Sequence, residues 1–258
     1  MITRRCHNSM RLGCLIGVIG VILFVNQIAW SAEHSLHQLF DDVLRAHVVD
    51  GQVSYPDIGA DAKFMQYIKE MKGDHVYKNQ KERLAYWINA YNALAIQGIL
   101  DGRSPRTLFG RFGYFKSAEY KIGGKEINLY DLERDVMIPL GELRIHFAIN
   151  CASVSCPKLA SAVYTADKLE EQLDASTRAF INDPSRNRFD RDKKVAYLSK
   201  IFRWFKKDFS QYAGSVQKYV ARYVDDPDLA HALENERYKV KYLKYDWHLN
   251  GTPLQGQG

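Results

Sequence analysis

One long apolar segment constrains the fold more than any other feature of the chain. The segment ERLAYWINAYNALAIQGIL, residues 82–100, has helical length and is apolar on almost every side. A helix without a broad polar face has to be covered all round, so we predict a central buried helix. Asn89 and Asn92 lie three residues apart on one side of it. Because buried amides need hydrogen-bond partners, we expect them to brace a neighbouring loop, with direct ligand contact as the alternative.

The segments around this helix predict a helix-rich α+β domain. Apolar residues at helical spacing indicate amphipathic helices near residues 36–44 and 64–71. Gly123-Gly124 predicts a hairpin that leads into a helix capped by Asn128. The alternation in RIHFAIN, residues 144–150, predicts a strand with His146, Ala148 and Asn150 on one face. No repeat or long linker interrupts the chain, so we expect one domain over residues 33–258, with helices around a modest, mainly antiparallel sheet.

The first 32 residues predict an export signal. Three arginines and no acidic residue accompany an apolar run from Leu12 to Val25, and small residues follow near Ser31. The run is too short to cross a bilayer comfortably, which favours a cleaved signal peptide over an uncleaved anchor. Cleavage would lower the net charge from +6 to +3 and leave no long basic run. We therefore expect a periplasmic or secreted protein without a nucleic-acid partner, and membrane contact only through an uncleaved N-terminal segment.

The block LRIHFAINCASVSCPKLA, residues 143–160, brings His146, Cys151 and Cys156 together within eleven residues. Three chemistries fit this pattern. A thiol nucleophile needs a base within reach or a helix N-terminus beneath it, and Cys156 before Pro157 is a candidate N-cap. A disulfide would close a small loop and suits an exported protein. A zinc site would use the same three side chains, although their spacing differs from the usual close cysteine pair.

Glu133 is a candidate partner for the imidazole. In a helix after Asn128 it would fall within the apolar arc, and a carboxylate there must be paired or have its pKa raised. Pairing with His146 would complete a Cys-His-Glu relay, whereas pairing with Arg144 would make an ordinary buried ion pair.

Several blocks together resemble the family of domain of unknown function 547. They are YWINAYNAL, INLYDLERDVM, RIHFAINCASVSCPKL, FIND, LSKIFRWFKKDF and YLKYDWHLN, in the order of the family. The resemblance points to Glu133, His146, Asn150, Cys151, Cys156 and Pro157, with Asn89 and Asn92 nearby. It also implies a distant likeness to papain-like and transglutaminase-like thiol enzymes. That likeness would be permuted or convergent, because His146 here precedes both cysteines.

Two main hypotheses follow for the function. The first is an exported cysteine-dependent hydrolase or acyltransferase acting on an amide, peptide or thioester, without a cofactor. In it Cys151 is the nucleophile, with Cys156 as the reserve, and His146 is the base that Glu133 orients. The asparagines Asn89, Asn92 and Asn150 would stabilise an oxyanion or hold the loop. The second is a non-catalytic envelope module with a Cys151–Cys156 disulfide and an aromatic binding surface; a zinc-binding module is the third.

Overall fold

The central feature of the fold is a 21-residue helix, Gln80–Leu100, of which fifteen residues are buried. The computed structural model describes residues 37–255. The segment confirms the central buried helix expected from its uniform apolarity. Asn79 caps the N-terminus, because its side chain accepts a hydrogen bond from the backbone N–H of Glu82 at 2.9 Å. The predicted export signal lies outside the described residues.

The other elements are short. In chain order the described elements are α1 over residues 37–47, β1 Val48–Val49, β2 Gln52–Ser54, α2 Tyr55–Ala60, α3 Ala62–Glu70, α4 Gln80–Leu100, α5 Leu108–Phe112, a π-helical turn Gly113–Ser117, β3 Tyr120–Ile122, β4 Lys125–Ile127, α6 Leu129–Asp131, a π-helical segment Leu132–Met137, a 3₁₀ turn Ile138–Leu140, α7 Ile145–Ala148, α8 Leu169–Asn182, β5 Arg188–Asp190, β6 Val195–Leu198, α9 Ile201–Trp204, α10 Lys206–Ala213, α11 Val216–Ala221, α12 Pro227–Glu234, β7 Lys239–Tyr242 and β8 Gly251–Thr252.

The strands confirm the α+β class and fall into three small sheets. Two sheets have three strands, in the orders β1-β2-β8 and β5-β6-β7, and β3 pairs with β4 alone. The hairpin pairs are antiparallel, whereas β2–β8 and β6–β7 are parallel. The parallel pair β2–β8 places Gly251 and Thr252 beside Val53 and Ser54.

The predicted Gly-Gly hairpin and its cap are confirmed. Gly123 and Gly124 both have positive φ, 55° and 72°, as the two central residues of a tight hairpin turn require. The hairpin leads to Asn128, whose side chain accepts a hydrogen bond from the backbone N–H of Asp131. The following turns widen into a π-helix at Leu132–Met137, so the usual rotation of 100° per residue does not apply at Glu133.

Two clusters of apolar side chains form the core, and α7 joins them. The first core surrounds α4 and includes Ile145 and Ala148, whereas the second includes Phe147 and the aromatic residues of α9–α11. His146 lies on the same short helix and is buried. The position of α7 between two cores therefore places His146 inside the molecule.

The strand predicted for residues 144–150 is wrong. Ile145–Ala148 form a helical turn, and only Ile149 after it is extended. The alternation of residue types indicates a strand when one face is buried and the other is not, but all four residues of α7 are buried. When every residue of a short run is buried, the pattern of residue types does not distinguish a strand from a helix. His146, Ala148 and Asn150 therefore do not share the strand face that the alternation predicts.

No helix among residues 37–255 has both the length and the apolarity that a bilayer-spanning helix needs.

Candidate functional site around the Cys151–Cys156 loop

Cys151 and Cys156 form a disulfide, with their Cα atoms 6.1 Å apart. Cys156 is buried and Cys151 is partly buried. The backbone N–H of Cys151 also donates a hydrogen bond to Cys156 Sγ at 2.9 Å. Of the three chemistries that the sequence left open, the sulfur atoms therefore form the disulfide, and neither is a thiolate in this state.

The helix predicted to begin at Pro157, with Cys156 as its N-cap, is wrong. Residues 157–160 have no helical structure. The carbonyl groups that a helix would use have other partners, because Asn150 Nδ2 donates to Pro157 O at 2.7 Å and Arg186 donates to Cys156 O. Side chains thus satisfy this backbone, and residues 157–160 supply no helix N-terminus to either sulfur.

Arg186 binds the backbone carbonyl groups of the Cys151–Cys156 loop. Its Nε and Nη2 donate to Cys156 O at 3.0 and 2.9 Å, and Nη2 also donates to Val154 O at 3.0 Å. Its Nη1 pairs with Asp183 Oδ2 at 2.5 Å. The planar guanidinium reaches both carbonyl groups at once, a geometry that a lysine ammonium does not reproduce.

The asparagines of α4 contact backbone groups on either side of the loop. Asn92 Nδ2 donates to Ala148 O at 3.1 Å, and Asn92 Oδ1 accepts from the backbone N–H of Asn150 at 2.8 Å. Asn89 makes the equivalent pair with the N–H and the carbonyl of Tyr164, both at 2.8 Å. Each amide thus uses both of its ends on the backbone, the arrangement expected of residues that brace a loop.

Asn150 and Asn250 extend this buried amide network. Asn150 Oδ1 accepts from the backbone N–H of Ala152 at 2.8 Å and from Asn250 Nδ2 at 3.2 Å. Asn250 Oδ1 in turn accepts from the Tyr55 hydroxyl at 2.6 Å. The network fixes Ala152, which has a positive φ of 58°, an uncommon conformation for a residue with a Cβ.

Glu133 and His146 lie side by side. Glu133 Oε1 is 3.4 Å from His146 Nδ1, and the His146 side chain is 1% exposed while that of Glu133 is 17% exposed. The distance is within ion-pair range, but the orientation is not that of a hydrogen bond, and neither ring nitrogen has a hydrogen-bond partner among the described residues. The predicted pairing of these two side chains is thus present, whereas a hydrogen bond from the imidazole to a sulfur is not.

Arg144 does not compete for Glu133. Its guanidinium contacts the carboxylates of Glu142 at 2.7 Å, Glu170 at 2.6 Å and Asp174 at 3.0 Å. Hydrogen bonding to Glu142 is the largest of the effects that raise the pKa of Arg144. The alternative ion pair between Glu133 and Arg144 is therefore wrong.

An aromatic ring covers the imidazole. Phe205, at the junction of α9 and α10, stacks on His146 with 3.8 Å between ring centroids and 25° between ring planes. Phe209 contacts the same imidazole edge-on, at 5.7 Å. Phe205 is itself partly exposed, whereas His146 is buried.

Tyr245 is a site residue that the sequence did not single out. Its hydroxyl lies 3.2 Å from Cys151 Sγ and 3.0 Å from Ser153 Oγ. Burial raises the pKa of Tyr245, and the nearby negative charge of Glu133 acts in the same direction. The tyrosine belongs to the closing block YLKYDWHLN, which supported the family resemblance but had no local spacing that pointed to the cysteines.

A cavity of about 400 Å³ lies beside the loop. Its lining includes Lys158, Ser161, Asp183 and Arg186. Lys158 is paired with Asp50 at 2.6 Å and Arg186 with Asp183, so these two cations are already matched by carboxylates. The lining does not include the disulfide, His146 or Glu133. Among residues 37–255 there is also no cluster of three or more histidine, cysteine, aspartate or glutamate side chains with the arrangement of a metal site.

Residues 77–181 match the family model described as "Protein of unknown function, DUF547", which confirms the resemblance over this segment. The segment runs from just before α4 to the end of α8 and contains all seven candidate site residues. Tyr245, Arg186 and Asn250 lie beyond it. No curated protein and no solved structure gave a significant match, so the likeness to papain-like enzymes stays a prediction.

Proposed function

We propose that the chain is an exported, non-catalytic binding module of the cell envelope, whose disulfide loop supports an aromatic binding face. The observation that carries the proposal is the contact between the disulfide and Tyr245, whose hydroxyl is 3.2 Å from Cys151 Sγ. Export is supported by the basic and apolar pattern of the first 32 residues and by a disulfide, which persists in oxidising compartments.

The loop and the closing segment of the chain are bonded along their backbones. The N–H of Val154 donates to His248 O at 2.8 Å, and the N–H of Ser155 donates to Asp246 O at 3.2 Å. The N–H of Asp246 donates a hydrogen bond to Ser155 Oγ at 2.8 Å. A loop closed by a disulfide therefore fixes the position of residues 245–248.

Tyr245 and Trp247 from this segment form a cluster with Trp204 of α9, and we call these three residues the aromatic face. Their ring centroids are 4.4 Å apart for Tyr245–Trp247, 4.8 Å for Trp204–Tyr245 and 5.8 Å for Trp204–Trp247. Trp204 is 45% exposed and Trp247 is partly exposed, whereas Tyr245 is buried and supports the two indoles. Large rigid rings offer contact area at a small cost in conformational entropy, which is why Tyr and Trp are enriched where proteins bind partners.

The state of the sulfur atoms weighs against catalysis in the same region. A thiol hydrolase needs a free thiolate, and both cysteines are in the disulfide. It also needs a base that a substrate can approach, whereas the His146 side chain is 1% exposed and stacked under Phe205. Support for a loop is the role that this geometry favours.

Co-sedimentation with washed bacterial cell-envelope fragments tests the proposal. We expect the wild-type protein to sediment with the fragments and the double variant Trp204→Ala, Trp247→Ala to lose about tenfold or more in affinity. Tyr212→Ala is the matched control, because Tyr212 is 58% exposed but packs near Tyr219 and Arg222 instead. Equal sedimentation of wild type and double variant would contradict the proposal.

A thiol-dependent hydrolase or acyltransferase is the second candidate. The distance of 3.4 Å between Glu133 Oε1 and His146 Nδ1 favours it, because a carboxylate beside the imidazole is the arrangement that orients a general base. In this reading the disulfide is a resting state that an external dithiol reduces by thiol–disulfide exchange. The freed Cys151 thiol would give its proton to His146 and attack the acyl carbon of an amide, peptide or thioester, forming a thioester with Cys151 and expelling the amine or thiol of the substrate.

Labelling with an electrophilic probe after mild reduction separates the two candidates. A hydrolase predicts fast labelling of Cys151 at neutral pH and slower labelling in His146→Phe, which keeps the stack on Phe205 but removes the base. The binding module predicts that labelling requires reductant and that His146→Phe reacts at the rate of the reduced wild type.

A further inference from the structure

An exposed apolar patch lies on helix α5. Leu108, Phe109 and Phe112 are 71%, 89% and 62% exposed, although the helix has only five residues. Phe109 and Phe112 are three residues apart and Leu108 and Phe112 four apart, so the side chains share a side of the helix. We call these three residues the α5 patch. Apolar side chains concentrated in this way mark a surface that another molecule covers.

The α5 patch is continuous with the aromatic face. The guanidinium of Arg111, within α5, lies 4.7 Å from the ring centroid of Trp247. Phe115, in the turn after α5, packs against the same indole with 6.3 Å between centroids. Trp247 therefore connects the patch to Trp204 and Tyr245, and the combined surface is larger than either part.

Cations outnumber anions around this surface, and the exposed carboxylate between Tyr245 and Trp247, that of Asp246, is paired with His248. Residues 103–117 contain three arginines and one lysine and no acidic residue, and residues 203–207 contain one arginine and two lysines and no acidic residue. Arg106, Lys116, Lys206 and Lys207 are exposed. An anionic partner would complement these cations.

The chemistry of the surface separates a lipid from a glycan. Glycan sites combine aromatic platforms with amide and carboxylate groups that bond sugar hydroxyls, since a few placed polar groups give a ligand site its specificity. Residues 103–117 contain no asparagine, glutamine, aspartate or glutamate, and the carboxylate of Asp246 beside Trp247 is already bonded to His248. Leucine and aromatic side chains flanked by lysine and arginine are instead the composition that inserts at the boundary between lipid headgroups and acyl chains.

We infer that the α5 patch and the aromatic face dock on an anionic phospholipid membrane surface. Leu108, Phe109 and Phe112 enter the boundary between headgroups and acyl chains, Trp204 and Trp247 lie at headgroup level, and the cations contact lipid phosphates. This inference rests on the proposed binding function and names its partner, and it differs from the sequence-based expectation of membrane contact only through the N-terminal segment.

Flotation with lipid vesicles tests this inference. All proteins are taken as they leave the export pathway, with the N-terminus determined by mass spectrometry and identical in every variant. We expect binding to vesicles that contain phosphatidylglycerol, little binding to pure phosphatidylcholine, weakening by salt, and a blue shift of tryptophan fluorescence on binding. The triple variant Leu108→Ser, Phe109→Ser, Phe112→Ser should lose at least about tenfold in affinity.

Matched controls separate the patch from general hydrophobicity and charge. Val49→Ser with Val76→Ser removes side chains that are 73% and 87% exposed on other parts of the molecule, and it should leave vesicle binding unchanged. Arg106→Gln with Lys206→Gln and Lys207→Gln should weaken binding and reduce its dependence on salt.

The outcomes distinguish this inference from the proposed function. Vesicle binding by the wild type that the α5 triple variant retains would overturn it, because another segment would then carry the contact. Binding to isolated peptidoglycan or to envelope proteins, with no binding to anionic vesicles, would also overturn it while the envelope-binding function stands. Loss of vesicle binding in the α5 triple variant, with both controls as expected, supports it.

Discussion

The hydroxyl of Tyr245 lies 3.2 Å from Sγ of Cys151, although 94 residues separate the two in sequence. A disulfide sulfur has no proton, so the hydroxyl is the donor in any hydrogen bond between them. The contact joins a small covalent loop to the segment that carries Trp247. The disulfide can therefore position the closing segment without any catalytic role for the cysteines.

The first prediction concerns removal of the disulfide. In Cys151→Ser, Cys156→Ser we expect the free energy of unfolding to fall by about 2 kcal/mol, because a short closed loop no longer restricts the unfolded chain. Urea denaturation measures this change. The wild type in reductant should show a similar loss, and the double variant should not respond to reductant at all. A double variant as stable as the oxidised wild type would contradict the prediction.

The second prediction concerns Arg186, which donates to the carbonyl groups of Val154 and Cys156. Arg186→Lys keeps the charge but loses the planar fork, so at least one carbonyl loses its partner. We expect a cost of about 1–3 kcal/mol in urea denaturation. Arg188→Lys is the control, because Arg188 is exposed on β5, and it should stay within about 0.5 kcal/mol of wild type. Equal stability of the two variants would show that the bonds from Arg186 to the loop do not contribute to stability.

The third prediction concerns Asn92 on α4. Asn92→Leu keeps the approximate volume but leaves the carbonyl of Ala148 and the N–H of Asn150 without their partner. Two buried polar groups without hydrogen bonds should cost about 2–4 kcal/mol. The exposed Asn235→Leu serves as a comparison and should cost less than about 1 kcal/mol. A mild effect at Asn92 would mean that the loop does not depend on this bracing.

The fourth prediction concerns acid stability and His37. Burial, with a smaller effect from His75, lowers the pKa of His37 from 6.5 to about 4. Between pH 6.5 and 4, His37 binds a proton in the unfolded chain but not in the folded protein. The free energy of unfolding therefore falls as pH decreases towards 4. Between pH 7 and pH 5 the expected loss from this group is about 2 kcal/mol.

Urea denaturation at the two pH values tests the contribution of His37. His37→Phe should remove this part of the pH dependence, whereas His231→Gln, at an exposed position on α12, should retain it. The same pH dependence in wild type and His37→Phe would show that other groups cause it.

Features that depend on local pattern could be predicted from the sequence. The central helix follows from apolar residues without a polar face, and the hairpin at Gly123-Gly124 follows from the left-handed backbone that only glycine adopts freely. For Glu133 the sequence predicts a polar partner but leaves two candidates, His146 and Arg144, and only the structure selects His146.

Features that depend on long-range contacts could not be predicted from the sequence. The alternation around His146 indicated a strand, but α7 is buried between two cores, and burial on all sides removes the difference between strand and helix patterns. No spacing in the sequence connects Tyr245 with Cys151 or Arg186 with Cys156. Those contacts arise only when the closing segment and the chain after α8 return to the loop.

The most direct test of the proposed binding function is whether Cys151 and Cys156 are disulfide-bonded or free thiols in the exported protein. Alkylation before any reduction, followed by mass spectrometry under non-reducing conditions, reports both sulfur atoms at once. A disulfide that supports the binding face predicts one linked pair, Cys151–Cys156, and no alkylated cysteine at either position. A free Cys151 that alkylates quickly at neutral pH, and slowly once His146 is replaced by phenylalanine, would contradict it and identify a catalytic thiol.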